Sequence, residues 1–135
     1  MEQTTIERSV IIHAPVQQVW RVFTDPAVTR EMGGYYETDW KPGSAFAFLD
    51  TAGRKLTRGV LLAYEPQQLI RHNLLEPDNE TIQSVITYTF REEGGRTVLT
   101  GREVMTHPPD PAAFEDAAAG WEFALKAVKD LAEKL

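Results

Sequence analysis

The chain contains no cysteine among its 135 residues. Disulfide bonds, thiolate nucleophiles, iron–sulfur clusters and cysteine-ligated zinc are therefore excluded. The sequence also has no apolar run near the roughly 18 residues that a membrane span needs. Its first residues, MEQTTIERSVII, lack the charged and apolar regions of a secretory signal. We therefore expect a soluble, cytoplasmic protein without a membrane span.

Basic residues are in the minority, with 14 Lys and Arg against 20 Asp and Glu and a net charge of −6. Nucleic acid is an unfavourable partner for such a chain, because phosphate contacts need a dense basic surface. The composition, 42% hydrophobic and 25% charged, is typical of a globular protein. The length predicts a single domain over residues 1–135, large enough to enclose a cavity.

Catalytic and metal-binding motifs are absent from the sequence. No serine lies in a G-x-S-x-G elbow, and there is no P-loop or dinucleotide-binding glycine pattern. The three histidines, His13, His72 and His107, do not have the spacing of a metal site. We therefore assign no catalytic residue, metal or cofactor from motifs.

The first half of the chain predicts one strand, then two short helices. Residues 4–13 are rich in β-branched side chains, and Val16, Val19, Trp20 and Phe23 follow at helical spacing. Asp25-Pro26 starts a second short helix, which Gly33-Gly34 ends. From Lys41 the hydrophobic pattern has a period of two residues, as in strands. Short breaks separate further strands at 56–64, 69–75, 82–91 and 97–105. Connections this short predict an antiparallel meander.

The last segment predicts one long helix of roughly 24 residues, with Asp110 as its N-cap and Pro111 at its first position. Its apolar stripe consists of Phe114, Ala117, Ala118, Trp121, Leu125, Val128, Ala132 and Leu135. A one-sided sheet must cover its apolar face, and this helix is the element long enough to do so. The predicted fold class is α+β: a curved antiparallel sheet of about six strands wrapped around the C-terminal helix, with two short helices after the first strand.

Two polar residues fall on strand faces predicted to point inward. His72 shares a face with Ile70 and Leu74, and Glu103 shares one with Leu99. Three roles are open for His72: a core histidine with one hydrogen bond, a polar group on a cavity wall, or a catalytic base. Glu103 is either a buried carboxylate that needs a partner or, after a bulge, a solvated one. A pair between His72 and Glu103 would bring acid–base chemistry into the interior.

Aromatic residues are the other candidates for a binding site. Tyr35, Tyr36 and Trp40 follow Gly33-Gly34 in a segment without a clear period, where aromatic side chains often line a pocket mouth. The residues predicted to contact a ligand are Phe23, Tyr35, Tyr36, Trp40, Phe46, Phe48, Leu61, His72, Leu74, Tyr88, Glu103, Trp121 and Leu125.

Five segments, in order along nearly the whole chain, carry a family resemblance. They are 11–20 with Phe23-Thr24-Asp25-Pro26, then Thr38-Asp39-Trp40-Lys41-Pro42-Gly43, Gly59-Val60-Leu61 with Glu65-Pro66, Gly95-Arg96-Thr97-Val98-Leu99-Thr100, and Gly120-Trp121. As a set they resemble the helix-grip superfamily of START and Bet v 1-like proteins. More narrowly, the chain looks like the branch named after the activator of Hsp90 ATPase.

The resemblance implies a cavity between sheet and helix that accepts hydrophobic small molecules. Some relatives are cyclases, and others carry lipids or hormones. One departure concerns the pocket mouth, since many relatives have a tryptophan-rich segment where this chain reads Met32-Gly33-Gly34-Tyr35-Tyr36. The Hsp90 activator also has a separate N-terminal domain that drives ATPase stimulation. This chain begins directly with its first strand, so we do not expect it to share the co-chaperone activity.

The favoured hypothesis is a binding protein for a hydrophobic or aromatic small molecule. The first alternative is a small enzyme of cyclase or hydrolase type that uses His72 or Glu103 as general acid or base. The second is a protein-interaction module related to Hsp90 co-chaperones. The edges of the predicted sheet are compatible with a homodimer.

Overall fold

In a computed structural model that describes residues 4–135, the sheet and the long helix form the two layers of the fold. The strands are β1 Thr5–Ile12, β2 Gly34–Thr38, β3 Ala45–Asp50, β4 Lys55–Glu65, β5 Leu69–Leu75, β6 Ile82–Glu93 and β7 Arg96–Met105. The helices are α1 Val16–Thr24, α2 Pro26–Thr29 and α3 Pro111–Ala132, with a 3-10 turn at Arg30–Met32. The predicted α+β fold with a C-terminal helix is confirmed.

The sheet has seven strands in the order β1-β7-β6-β5-β4-β3-β2, and all neighbours are antiparallel. The sequence predicted about six, because β2 was not recognised. This strand has only five residues, and its half-buried tyrosines do not alternate with polar residues as a one-sided strand should. The missed strand is the one that carries Tyr35 and Tyr36.

Strand β4 changes its partner along its length, which bends the sheet. Residues 55–60 pair with β3, whereas 61–65 pair with β5, and the register shifts between Leu61 and Ala63. Where β4 changes from one partner strand to the other, the Asn73 side-chain oxygen accepts a 2.7 Å hydrogen bond from the Val60 N–H. Such irregularities increase the local bend of a strand and help the sheet to curve around a helix.

The short helices connect β1 to β2 and close one end of the sheet. The Asp25 Oδ1 accepts a 3.1 Å hydrogen bond from the Ala27 N–H and so caps α2, as the Asp25-Pro26 pair predicted. The 3-10 turn ends at Gly33, whose φ of 99° is readily adopted only by glycine. From α1, Val19, Trp20 and Phe23 are buried against the sheet.

Helix α3 lies against the concave face of the sheet. Its cap is confirmed, since the Asp110 Oδ1 accepts a 2.8 Å hydrogen bond from the Ala113 N–H. The predicted stripe was wrong at its end, because the helix stops at Ala132 and Leu135 is 40% exposed. Its buried residues are Ala118, Trp121, Leu125, Val128, Leu131 and Ala132.

No helix within residues 4–135 combines the length and hydrophobicity needed to cross a membrane.

Candidate functional site

A cavity of about 190 Å³ lies between α3 and the strands that face it. It reaches the surface beside Phe123, an aromatic side chain of α3 that is 79% exposed. Apolar side chains form most of its wall. The lining residues are Phe23, Met32, Tyr36, Phe48, Tyr88, Phe123, Ala124, Leu125, Ala127 and Val128.

Strand pairing and helix α1 bring the aromatic rings of this wall together. Tyr36 of β2 is the direct cross-strand partner of Phe48 in β3, and their ring centres are 5.0 Å apart in an edge-to-face arrangement. Phe23 reaches over from α1 and contacts Tyr88 of β6 edge to face at 4.9 Å. It also stacks on Tyr36 at 6.2 Å. These contacts hold the rings in place without a ligand, so the cavity wall is preorganised.

Two phenol groups supply the polarity of the wall. Burial raises the pKa of Tyr36 to about 12, although the contact with Tyr88 acts in the opposite direction. Burial is also the main reason why the pKa of Tyr88 lies well above 10, and the charge of Glu103 adds to this shift. Both hydroxyls therefore stay neutral at physiological pH and can donate or accept hydrogen bonds.

Glu103 joins the sheet to α3 next to this cavity. Its Oε1 accepts a 2.9 Å hydrogen bond from the Trp121 Nε1–H, and its Oε2 accepts a 2.7 Å bond from the Ser84 hydroxyl. The half-buried carboxylate thus has a partner for each oxygen, as a buried charge requires. This arrangement makes Glu103 a structural link between the two layers.

His72 is enclosed in the aromatic core and is only 4% exposed. Its Nδ1 is 3.0 Å from the Asn73 carbonyl oxygen, and its ring stacks on Phe46 at 4.1 Å. Burial lowers the pKa of His72 to about 4, so the imidazole is neutral at physiological pH. Because the carbonyl can only accept, Nδ1 carries the proton.

His72 and Glu103 share the concave face but do not pair with each other. Both residues are register partners of Ile86, which is buried on the strand between them. Glu103 bonds to Ser84 and Trp121 instead. Within residues 4–135, no group of three or more His, Asp or Glu side chains is arranged to hold a metal ion.

The structure brings some of the predicted ligand-contacting residues to the cavity and places the others elsewhere. Those in its lining are Phe23, Tyr36, Phe48, Tyr88 and Leu125. Those outside it are Tyr35, Trp40, Phe46, Leu61, His72, Leu74, Glu103 and Trp121. A role of any of these residues in binding stays a prediction.

The residues outside the lining have identifiable structural contacts. Trp40 packs against Tyr64 and Phe46, with ring centres 5.5 and 6.0 Å apart. Tyr35, next to the cavity residue Tyr36, lies under the Arg30 guanidinium at 4.6 Å. Alternation along β2 therefore separates the two tyrosines that the sequence had grouped at a pocket mouth.

Other lining residues were not singled out from the sequence as ligand contacts. They are Met32, Phe123, Ala124, Ala127 and Val128. An available signal was Phe123, a large apolar residue outside the predicted stripe of α3, next to Ala124 and four positions before Ala127. Residues four apart share a helix face, so a bulky ring beside small side chains marks an opening.

The fold and cavity define a helix-grip protein with an apolar space between its sheet and C-terminal helix. Residues 13–133 match the family described as activator of Hsp90 ATPase homolog 1-like protein. The chain belongs to this family, which the five sequence segments had indicated. A search among curated proteins finds no match.

Solved structures of similar fold come from several bacteria. CalU16 from Micromonospora echinospora is 22% identical, with a TM-score of 0.77 over 97% of this chain and 82% of its own. Protein MLL2253 from Mesorhizobium loti is 21% identical, with a TM-score of 0.78 over 96% and 97%. The Aha1 dimer from Colwellia psychrerythraea is 14% identical, with a TM-score of 0.78 over 97% of each chain. At these identities the likeness concerns the fold alone.

Proposed function

We propose that the protein binds a hydrophobic or aromatic small molecule in the cavity beside α3. The observation that carries this proposal is an open space of about 190 Å³ walled by the rings of Phe23, Tyr36, Phe48 and Tyr88. An apolar cavity of about 150 Å³ accepts benzene. The space therefore suits a molecule with one or two fused rings.

Affinity would come mainly from removing apolar surface from water, at about 25 cal/mol per Å². The wall needs little reorganisation, because the rings already pack edge to face against one another. Membership of the family supports the proposal, since the helix-grip fold implies a hydrophobic cavity in this position.

The two alternatives find less support in the geometry. A cyclase or hydrolase would need an acid–base group in the cavity wall, but neither His72 nor Glu103 is among the lining residues. Ile86 also separates these two residues from each other. A protein-interaction module predicted an exposed apolar patch without a cavity. Phe123 is exposed, but it borders a cavity and so fits the binding proposal.

The test is a titration with toluene and naphthalene, followed by two-dimensional amide NMR and by thermal melting. We expect shifts concentrated at the cavity lining and a higher melting temperature. A ligand at 100 times its Kd should add roughly 2.7 kcal/mol to the free energy of unfolding.

A matched pair of variants shows whether the cavity is responsible. Ala127→Phe places a ring at a half-buried lining position and should weaken binding at least about tenfold by filling the space. Ala119→Phe adds the same ring at an exposed position of α3 outside the lining and should leave binding unchanged. Equal binding by both variants, or no binding by the original protein, would contradict the proposal.

A further inference from the structure

Leu125 borders a second cavity, of about 180 Å³, in addition to the cavity of about 190 Å³ that Phe23, Tyr36 and Phe48 line. The second cavity lies between α3 and β1, and we call it the β1 cavity. Its lining residues are Arg8, Ser9, Val10, Glu122, Leu125 and Lys126. We call the first one the apolar cavity. The Leu125 side chain is therefore common to two spaces that adjoin the helix.

Helical geometry places Leu125 between the two cavities. At 3.6 residues per turn, Ala124 and Val128 lie on one side of Leu125 around the helix axis, and Glu122 and Lys126 lie on the other. The first two residues line the apolar cavity, whereas the second two line the β1 cavity. Leu125 itself points toward the sheet and is only 3% exposed. Its side chain thus forms the wall that divides the two spaces.

The core around Leu125 keeps this wall in place. Trp121 and Val128, about one turn before and after it, belong to the same buried cluster. The Trp121 Nε1–H donates a 2.9 Å hydrogen bond to Glu103 and so ties this part of α3 to the sheet. Side chains in a close-packed interior do not move aside without a cost in free energy. A molecule that enters the apolar cavity beside Phe123 therefore ends at Leu125, and any longer part of it stays in water.

We propose that Leu125 determines the length of the ligand, so that the site selects compact fused-ring molecules over elongated ones. The inference rests on the proposed function and names the residue that sets its size selection. Two fused rings fit in front of the wall, whereas two rings joined end to end need the space that Leu125 fills. Behind the wall, Val10 and the apolar stems of Arg8 and Lys126 would contact a second ring.

Two uncharged probes test the selection, naphthalene with two fused rings and biphenyl with two rings end to end. Biphenyl has the larger apolar surface, so transfer out of water alone favours its binding. We expect the opposite order in the original protein, because the second ring of biphenyl stays outside the cavity. Naphthalene should bind at least about threefold more tightly, which corresponds to roughly one buried methylene group. NMR titration at pH 7 gives both dissociation constants.

Leu125→Ala opens the wall and should admit the second ring of biphenyl. In this variant we expect biphenyl to bind at least about tenfold more tightly than in the original protein, because a second ring becomes buried. Its amide shifts should extend to Arg8, Val10 and Lys126, while naphthalene keeps its affinity within about threefold. Leu131→Ala is the matched control, because Leu131 is another buried leucine of α3 and lies outside both linings. The control should keep the original order of the two probes.

Leu125→Val removes a single carbon atom and repeats the test with a smaller disturbance of the fold; biphenyl should gain about threefold in affinity. The outcomes separate this inference from the proposed function. Failure of both probes to bind the original protein would overturn the proposed function. Biphenyl binding as tightly as naphthalene in the original protein, no gain in the Leu125 variants, or an equal gain in Leu131→Ala would overturn only the role of Leu125. A gain without shifts at the β1 cavity would do the same.

Discussion

Gly101 shows how one residue sets the distance between the sheet and α3. A Cβ atom at this position would lie 2.1 Å from Cζ3 of the Trp121 ring, a separation that real side chains do not reach. We expect Gly101→Ala to lower the free energy of unfolding by about 1–3 kcal/mol, the usual cost of overpacking a core. Urea denaturation at pH 7 measures this change.

Gly120, next to Trp121 on α3, provides the matched control. A Cβ atom there would meet nothing within 4 Å. Alanine is the better helix former, so Gly120→Ala should raise the free energy of unfolding by about 0.5–1 kcal/mol. A loss in both variants would show that the close approach of Trp121 is not the cause.

His72 should make the stability of the protein depend on pH. Its pKa is lowered to about 4 in the folded state, against 6.5 for an unperturbed histidine. The unfolded chain therefore binds the proton first, and stability present above pH 6.5 is lost as the pH falls toward 4. Between pH 7 and pH 4.5 this loss should amount to roughly 2–3 kcal/mol.

His72→Phe keeps an aromatic ring on Phe46 and removes the titration. The variant should lose less stability between pH 7 and pH 4.5 than the original protein, by roughly the amount attributed to His72. Urea denaturation at both pH values gives the comparison. His107→Phe, at an exposed position, is the control and should keep the original pH dependence. Identical slopes for all three proteins would contradict the assignment.

At the scale of the elements, the features that the sequence predicted correctly are those that depend on a few neighbouring residues. The caps Asp25 and Asp110 were predicted because an N-cap depends on the next few residues alone. Strand β2 was missed because its two tyrosines have different contacts. Tyr36 packs on Phe48, whereas Tyr35 lies under the Arg30 guanidinium. Such a strand has no simple alternation to detect.

The candidate site depends on register between strands, which the sequence does not reveal. The inward direction of His72 and Glu103 could be predicted from alternation within each strand. Their separation could not, because it follows from the pairing of both residues with Ile86. Phe123 was likewise missed, since its position at a cavity mouth depends on how α3 is rotated against the sheet.

At the scale of the whole molecule, the sheet holds α3 through apolar packing and a central polar link, with a further, exposed hydrogen bond from the Lys129 Nζ to the Ile11 carbonyl oxygen of β1. The outer strands β1 and β2 each have one neighbouring strand in the described residues, so a homodimer through either edge remains a prediction. In the interior, the Trp121 Nε1–H donates to Glu103 Oε1 at 2.9 Å and joins the helix to β7. A hydrogen bond to a charged group contributes about 1.5–3 kcal/mol when its geometry is good.

A double-mutant cycle measures how strongly this link joins the two layers. Trp121→Phe removes the donor and leaves Glu103 with one fewer partner, whereas Glu103→Gln removes the charge and keeps the shape. Both single variants should lower the free energy of unfolding, measured by urea denaturation at pH 7. We expect the double variant to lose about 1–2 kcal/mol less than the sum of the two, because either change alone already weakens the same bond. Trp121→Phe also removes ring volume, but that loss is common to both arms with this substitution and cancels in the coupling energy. Losses that add within about 0.5 kcal/mol would show that the hydrogen bond between Trp121 and Glu103 contributes little to holding the helix in the sheet.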